Sequence, residues 1–184
     1  MKTRLAQDVG FREATRIYRC LVEHQLREIP SSWPVQIHFA PDDARREMED
    51  WLGPAHRYSP QPDGDLGQRL LGALRAHFAS TVAPVIFLGG DCPYLTTERL
   101  VAAAEMLARA EAVMAPAMDG GYCLLALSRP VERVFEAISW STDRVAEETR
   151  QRLRESRVSW SEMEAVEDVD DRASWARARA SLGG

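Results

Sequence analysis

Asp91 is the sharpest chemical candidate in the chain. It follows directly on the apolar run Pro84-Val85-Ile86-Phe87-Leu88-Gly89-Gly90, and a carboxylate just past a buried strand can bridge a divalent metal to phosphates. Pro93 then stiffens the turn. Aspartate in such a turn also serves as a simple turn or capping residue, so position alone leaves both readings open. The second cluster is Asp168-Val169-Asp170-Asp171. Alternate aspartates in extended chain project to one side, so Asp168 and Asp170 can share a cation with Asp91. Aspartates ahead of a helix are also common N-caps, and the pattern by itself favours that plainer role. Asp119-Gly120-Gly121-Tyr122 either makes a tight turn or admits a substrate close to the backbone, with Asp119 and Tyr122 beside it. Lys2 and Arg4 suit a phosphate if the chain around them forms a cradle, and are otherwise an ordinary basic terminus.

Other residue types carry less. His24, His38, His56 and His77 show no ligand spacing, and Ser141-Thr142 has no nucleophile-elbow context. Cys20, Cys92 and Cys123 are odd in number and far apart with no C-x-x-C, so neither a disulfide framework nor a zinc ribbon is expected and a reducing cytoplasm fits best. With 23 Lys and Arg against 28 Asp and Glu, the net charge of −5 argues against a nucleic-acid-binding domain, which needs clustered basic residues. The acid is concentrated late: residues 155–171 hold seven acids against the single Arg157. No apolar run approaches the ~18 residues of a membrane span, and the first twenty residues hold no signal-peptide core. A chain of 184 residues at 45% hydrophobic content is expected to be one domain, 1–184.

The elements that must position these residues follow from periodicity. Phe11, Ala14, Tyr18, Leu21 and the Gln25/Leu26 pair recur at helical steps, giving a helix over about 10–28, ended by Pro30. Residues 35–39 alternate as a strand and 44–52 form a short charged helix. Residues 53–65, rich in Gly and Pro, read as a long loop. Asp65 caps the next helix with Gln68 as its capping-box partner, and Leu66, Leu70, Leu74 and Phe78 form its buried stripe. The run after Pro84 fits a strand buried on both faces. Leu95 and Leu100 flank Thr96 as a hydrophobic staple opening a helix over 97–110. Short strands at 112–115 and 122–127, helices at 131–138 and 144–155, an ambiguous stretch at 158–166 and a helix at 171–182 complete the reading. Strands alternating with helices predict an α/β fold with a mostly parallel sheet, whose ligands sit beyond the carboxyl ends of the strands.

Taken in order, Lys2-Thr3-Arg4-Leu5-Ala6, Gly64-Asp65-Leu66-Gly67-x-Arg69, Gly90-Asp91-Cys92-Pro93, Pro116-Ala117-x-Asp119-Gly120-Gly121-Tyr122, Trp140-Ser141-Thr142 and Asp168-Val169-Asp170 resemble the bacterial GT-A-like glycosyltransferase family associated with radical-SAM and selenoprotein domains. The resemblance spans essentially the whole chain. More distantly, the progression is similar to that of the 2-phospholactate and molybdenum-cofactor guanylyltransferases.

That resemblance implies a GT-A (nucleotide-diphospho-sugar transferase) fold, a Rossmann-like sheet flanked by helices. It implies that Lys2, Arg4, Gln61, Gly64, Gly67 and Arg69 meet the nucleotide and its phosphates. Asp91, Asp168 and Asp170 would hold Mg²⁺ or Mn²⁺, while Gly120, Gly121, Tyr122, Trp140, Ser141 and Thr142 would face the acceptor. Asp91 and Asp119 would be the catalytic carboxylates. The implied activity is metal-dependent glycosyl transfer from a nucleotide sugar to a small-molecule acceptor, in a cytoplasmic protein that could be an oligomer. The alternative is nucleotidyl transfer from a nucleoside triphosphate to a phosphorylated acceptor. Family members carry an apolar strand and a Pro/Gly loop ahead of the Lys-Thr-Arg-Leu motif, whereas this chain starts at the motif. An N-terminally truncated domain is therefore expected, either because the start is assigned too late or because the protein is shortened to a non-catalytic nucleotide-binding module. Such a sheet would lack a central strand.

Overall fold

The apolar run after Pro84 forms a strand at the edge of the larger of two sheets. In chain order the elements are α1 (Thr3–Val9), α2 (Phe11–Glu28), β1 (Gln36–Phe39), α3 (Arg45–Leu52), β2 (Arg57–Pro60), α4 (Leu66–Ser80) and β3 (Val85–Leu88). Next come α5 (Thr97–Met106), β4 (Ala112–Pro116), β5 (Tyr122–Leu127), a 3-10 turn (Glu132–Phe135), α6 (Val145–Glu155), β6 (Trp160–Glu162) and α7 (Arg172–Leu182). This computed structural model describes residues 3–182, so Lys2 lies outside the described residues.

The larger sheet has the order β3-β5-β4-β6. β5 runs antiparallel to both β3 and β4, and β6 lies parallel to β4. Three of its strands thus point one way and one is reversed, so the expected α/β sheet is mixed. β6 resolves the ambiguous 158–166 stretch, because Ala112 pairs with Trp160 and Met114 with Glu162. A core lies on each face. Leu74, Met114, Leu125, Leu127 and Phe135 fill one, and Leu95, Leu100, Val113, Leu124 and Ala126 fill the other. Each fully buried leucine contributes on the order of 1.5–3 kcal/mol by leaving water.

β1 and β2 form a separate parallel pair, with Gln36 opposite Arg57 and Phe39 opposite Pro60. β2 corrects the reading of 53–65 as one loop. Pro54 and Pro62 flank the strand, and Pro60, which has no N–H to give, occupies its last position. Tyr58 is buried there and its hydroxyl donates to the Gly53 carbonyl at 2.5 Å. Among the described residues no strand joins this pair to the four-stranded sheet.

The first helical stretch also differs from its periodicity. Gly10, at φ +83°, divides α1 from α2. The buried face of α2 is Ala14, Ile17, Leu21 and Gln25, while Phe11 and Tyr18 are 68% and 42% exposed. Gln25 decides the rotation: its amide Nε2 donates to the Leu95 carbonyl at 3.2 Å. Glu28 then accepts from the Thr97 backbone at 2.8 Å, so α2 lies along the segment that follows β3. A third core, with Leu5, Ile17, Leu21, Val169 and Ala178, joins α1, α2 and α7. The 131–138 helix shortens to the 3-10 turn, and the helix from 97 stops at Met106. Among the described residues no helix is long and apolar enough to cross a membrane.

Candidate functional site

Since β3, β4 and β6 share one direction, the segments leaving all three emerge at the same sheet edge. Asp91, Asp119 and the Asp168–Asp170 stretch all follow these strands, so topology alone gathers them there. After β6 the chain continues beside β4: Val166 N–H donates to Pro116 O at 2.9 Å, and Met118 N–H to Val166 O at 3.1 Å. It then crosses to the loop after β3, where Val169 N–H donates to Asp91 O at 3.0 Å. The Val169 side chain is fully buried, which turns the flanking residues the other way.

The result is a cluster in which one carboxylate oxygen each from Asp91, Asp168 and Asp170 lies within 4.8 Å of the others, all three side chains half-buried. Three hard oxygen donors around one point suit Mg²⁺ or Mn²⁺. The Arg4 guanidinium stands beside them, 3.6 Å from Asp170 Oδ2, and is 75% exposed. Helix capping falls to Asp171 instead. Its Oδ1 accepts from Ser174 N–H at 2.7 Å, and the hydrogen bonds from Ser174 hold its carboxyl below the usual range.

At the second corner of the edge, Asp119 Oδ1 accepts from Gly121 N–H at 2.9 Å and closes the turn. Gly120 has φ +91°, and a side chain there would collide with the Asp143 carbonyl. Its own carbonyl accepts from Ala146 N–H at 2.8 Å, docking the turn on the start of α6. Gly120 therefore has a packing role, while Gly121 supplies the N–H that closes the turn. Tyr122 belongs to the core on the face opposite Cys92, its ring edge-to-face with Trp140 at 6.3 Å, and burial pushes its phenol pKa well up. Trp140 packs over Gly67: a methyl at Gly67 would sit 2.5 Å from the indole nitrogen and 2.6 Å from the Phe135 carbonyl. Gly67 is thus a close-approach point between α4 and the Trp140 loop. Ser141 takes φ +64° and Thr142 Oγ1 donates to Ser139 O at 2.7 Å. Ser139 in turn donates its N–H to Glu148 at 2.6 Å, so Glu148 braces this loop.

Gln61, Gly64 and Arg69 come together at the end of β2. Arg69 donates to the Gln61 side chain and to the Gly64 carbonyl, both at 3.1 Å, while Gln61 N–H donates to Phe39 O at 2.7 Å. Gly64 has φ +121° and leaves room for the Gln68 side chain that completes the Asp65 capping box. Arg69 accordingly fastens the loop to α4.

One feature of the site is a covalent link between distant segments. Cys92 and Cys123 are joined by a disulfide, Cα to Cα 6.0 Å, correcting the expectation that none forms. The available signal was local: each cysteine directly follows a motif residue, Asp91 or Tyr122.

The fold matches solved structures. A protein from Desulfovibrio desulfuricans G20, assigned as a nucleotide-diphospho-sugar transferase, superposes with a TM-score of 0.86 at 28% identity, over 99% of this chain and 90% of its own. 4-Diphosphocytidyl-2C-methyl-D-erythritol synthase from Anaerococcus prevotii DSM 20548 gives 0.65 at 11% identity, over 89% and 86%. The homologue of Mycobacterium tuberculosis rv0371c from Mycobacterium sp. strain JC1 gives 0.55 at 17%, over 89% and 83%. The architecture is therefore that of the nucleotide-diphospho-sugar transferases, the GT-A-like fold. No curated protein matches the chain. Residues 26–142 match the family DUF2064, described as an uncharacterized protein conserved in bacteria, and the chain belongs to that family.

Proposed function

We propose that the protein is a divalent-cation-dependent transferase that takes a nucleotide sugar as donor and passes the sugar to a small-molecule acceptor. The observation that carries this reading is the convergence of Asp91, Asp168 and Asp170 at the strand-end edge of a GT-A-like sheet. In such a reaction the bond from the sugar's anomeric carbon to the diphosphate breaks, an acceptor oxygen bonds to that carbon, and the leaving nucleoside diphosphate gains negative charge. Asp91, Asp168 and Asp170 would hold Mg²⁺ or Mn²⁺, which supplies charge stabilisation to the departing phosphates. Arg4, already beside Asp170, adds a second positive group at that place. Gln61 and Gly64 frame the nucleotide side through the loop that Arg69 holds. Asp119 is the candidate base for the acceptor hydroxyl, in the turn braced against α6. The Trp140-Ser141-Thr142 loop forms the acceptor side beyond it.

A thermal-shift screen of nucleotides and nucleotide sugars, each with and without Mn²⁺, tests the reading, because a ligand that binds the native state stabilises it by mass action. A shift that needs both nucleotide and cation is expected. No shift with any nucleotide at saturating Mn²⁺ would sink it. Release of nucleoside diphosphate in a product assay supports glycosyl transfer, whereas release of pyrophosphate assigns nucleotidyl transfer to the same edge.

A further inference from the structure

The Cys92–Cys123 bridge joins the two halves of the candidate site. Cys92 sits in the loop that carries Asp91, and Cys123 is the second residue of β5, directly after the Asp119–Tyr122 motif. The two ends are not equally held. β5 is paired along both edges, to β3 and to β4, and Cys123 lies inside it between the paired residues Tyr122 and Leu124, at the register shift opposite Ala115 and Pro116. Cys92 lies outside the strands, in a loop held by single bonds: Gly89 N–H to Cys123 O at 3.0 Å, Val169 N–H to Asp91 O at 3.0 Å, Leu95 N–H to Cys92 O at 3.2 Å and His24 Nε2 against Pro93 O at 3.1 Å. Both cysteines are buried, 2% and 3% exposed, inside one apolar core. Two thiols need van der Waals spacing where a disulfide needs only a bond, and in a close-packed interior the more loosely held partner gives way. That partner is the Asp91 loop.

A second observation points the same way. Cys92 Sγ lies 3.5 Å from Asp91 Oδ1, a hydrogen-bonding distance for sulfur. As a thiol, Cys92 donates a proton to that oxygen and occupies a lone pair that a cation would use; in the disulfide it has no proton to donate.

We propose that Cys92 and Cys123 are a thiol–disulfide modification site that sets the cation affinity of the Asp91–Asp168–Asp170 cluster, the oxidised form binding tighter. The proposal rests on the reading of that cluster as a cation site. The reactant is a low-molecular-weight disulfide of the glutathione type. On local opening of the Asp91 loop, Cys92 attacks it as thiolate, releasing one reduced thiol and forming a mixed disulfide, and Cys123 then displaces the second. The protein loses two electrons and two protons, and the reactant becomes two thiols. A dithiol reductant reverses the change. In reducing compartments, disulfides are usually transient and either catalytic or redox-sensing.

The test is calorimetric titration of MnCl₂ alone into the wild-type chain, once oxidised with glutathione disulfide and once reduced. Reagents are removed anaerobically beforehand, because thiols chelate the metal, and peptide mass mapping verifies the Cys92–Cys123 linkage with Cys20 unmodified. Tighter Mn²⁺ binding by the oxidised form, about fivefold for the loss of one hydrogen bond to a carboxylate, is the expected result. Cys123→Ala, which keeps the Cys92 thiol and cannot form the bridge, should show the weaker affinity when it has not met the oxidant. Equal Mn²⁺ affinity in the verified oxidised and reduced forms overturns the proposal and leaves the cation site standing, as does failure of the disulfide to form under glutathione disulfide. Absence of Mn²⁺ binding in both forms overturns the cation reading and this proposal with it.

Discussion

Val169 donates its backbone N–H to the carbonyl oxygen of Asp91 at 3.0 Å. This one bond ties the loop after β3 to a segment more than seventy residues later, and it sets Asp168 and Asp170 against Asp91. Asp91→Asn and Asp168→Asn keep the side-chain shape and remove the charge a cation requires. Both should weaken Mn²⁺-dependent binding of a nucleoside diphosphate by at least about tenfold, as charged ligands outweigh neutral ones here. Titration calorimetry reads it. Unchanged affinity in Asp91→Asn with the metal present would reduce Asp91 to a turn residue.

Asp171 gives the opposite pattern. It caps α7 through Ser174 and takes no part in the three-carboxylate cluster. Asp171→Ala should lower the melting temperature and leave the cation dependence of nucleotide binding intact. Loss of cation dependence with normal stability would reassign the roles within the late acidic cluster.

Arg4 lies 3.6 Å from Asp170 and places a positive charge where the cation is expected. Arg4→Ala should therefore act with two signs. Binding of Mn²⁺ alone should strengthen by roughly two- to fivefold, the worth of an exposed ion pair, while binding of nucleoside diphosphate weakens. A loss of both affinities would make Arg4 a structural residue.

At Gly67 an added methyl would meet the Phe135 carbonyl at 2.6 Å, and backbone cannot rotate away. Gly67→Ala should cost about 1–3 kcal/mol in urea unfolding, the usual penalty for overpacking. Wild-type stability together with lost nucleotide binding would instead place Gly67 at the ligand.

The Arg150 guanidinium, hydrogen-bonded to Glu162 at 2.7 and 3.0 Å, holds the Glu162 carboxyl below its ordinary value of 4.5. A depressed folded pKa contributes stability that is complete above the unfolded value and lost as pH falls through the folded one. Wild type should therefore lose more stability between neutral pH and the acid side of 4.5 than Glu162→Gln does. Urea midpoints at the two pH values check it. Equal losses would show that the β6–α6 ion pair contributes nothing.

Local chemistry made several features legible. The Asp65/Gln68 capping box and the Thr96 N-cap form as read, because each is a contact between residues three apart. The strand after Pro84 was legible from its unbroken apolar character, and it places Asp91 at a sheet edge whatever its neighbours do. β2 escaped notice because its residues gain strand geometry only from pairing with β1, and Gly and Pro around it signal a loop. On α2 the periodicity finds Ala14, Leu21 and Gln25 but places Phe11 and Tyr18 in the stripe instead of Ile17 for a related reason. Its sequence carries two apolar stripes, and only docking against Leu95 through Gln25 chooses between them.

The sequence by itself determined the alternation of strands and helices, the carboxylates at strand ends and the extended Asp-x-Asp spacing, since all three depend on neighbours along the chain. Tertiary structure alone decided that β5 runs against its neighbours and that Asp171 takes the cap while Asp168 and Asp170 turn to Asp91. It also decided that Cys92 meets Cys123. Each of those outcomes joins residues far apart in sequence through strand pairing or packing at one end of the sheet, and no periodicity along the chain encodes which distant partner a side chain will meet.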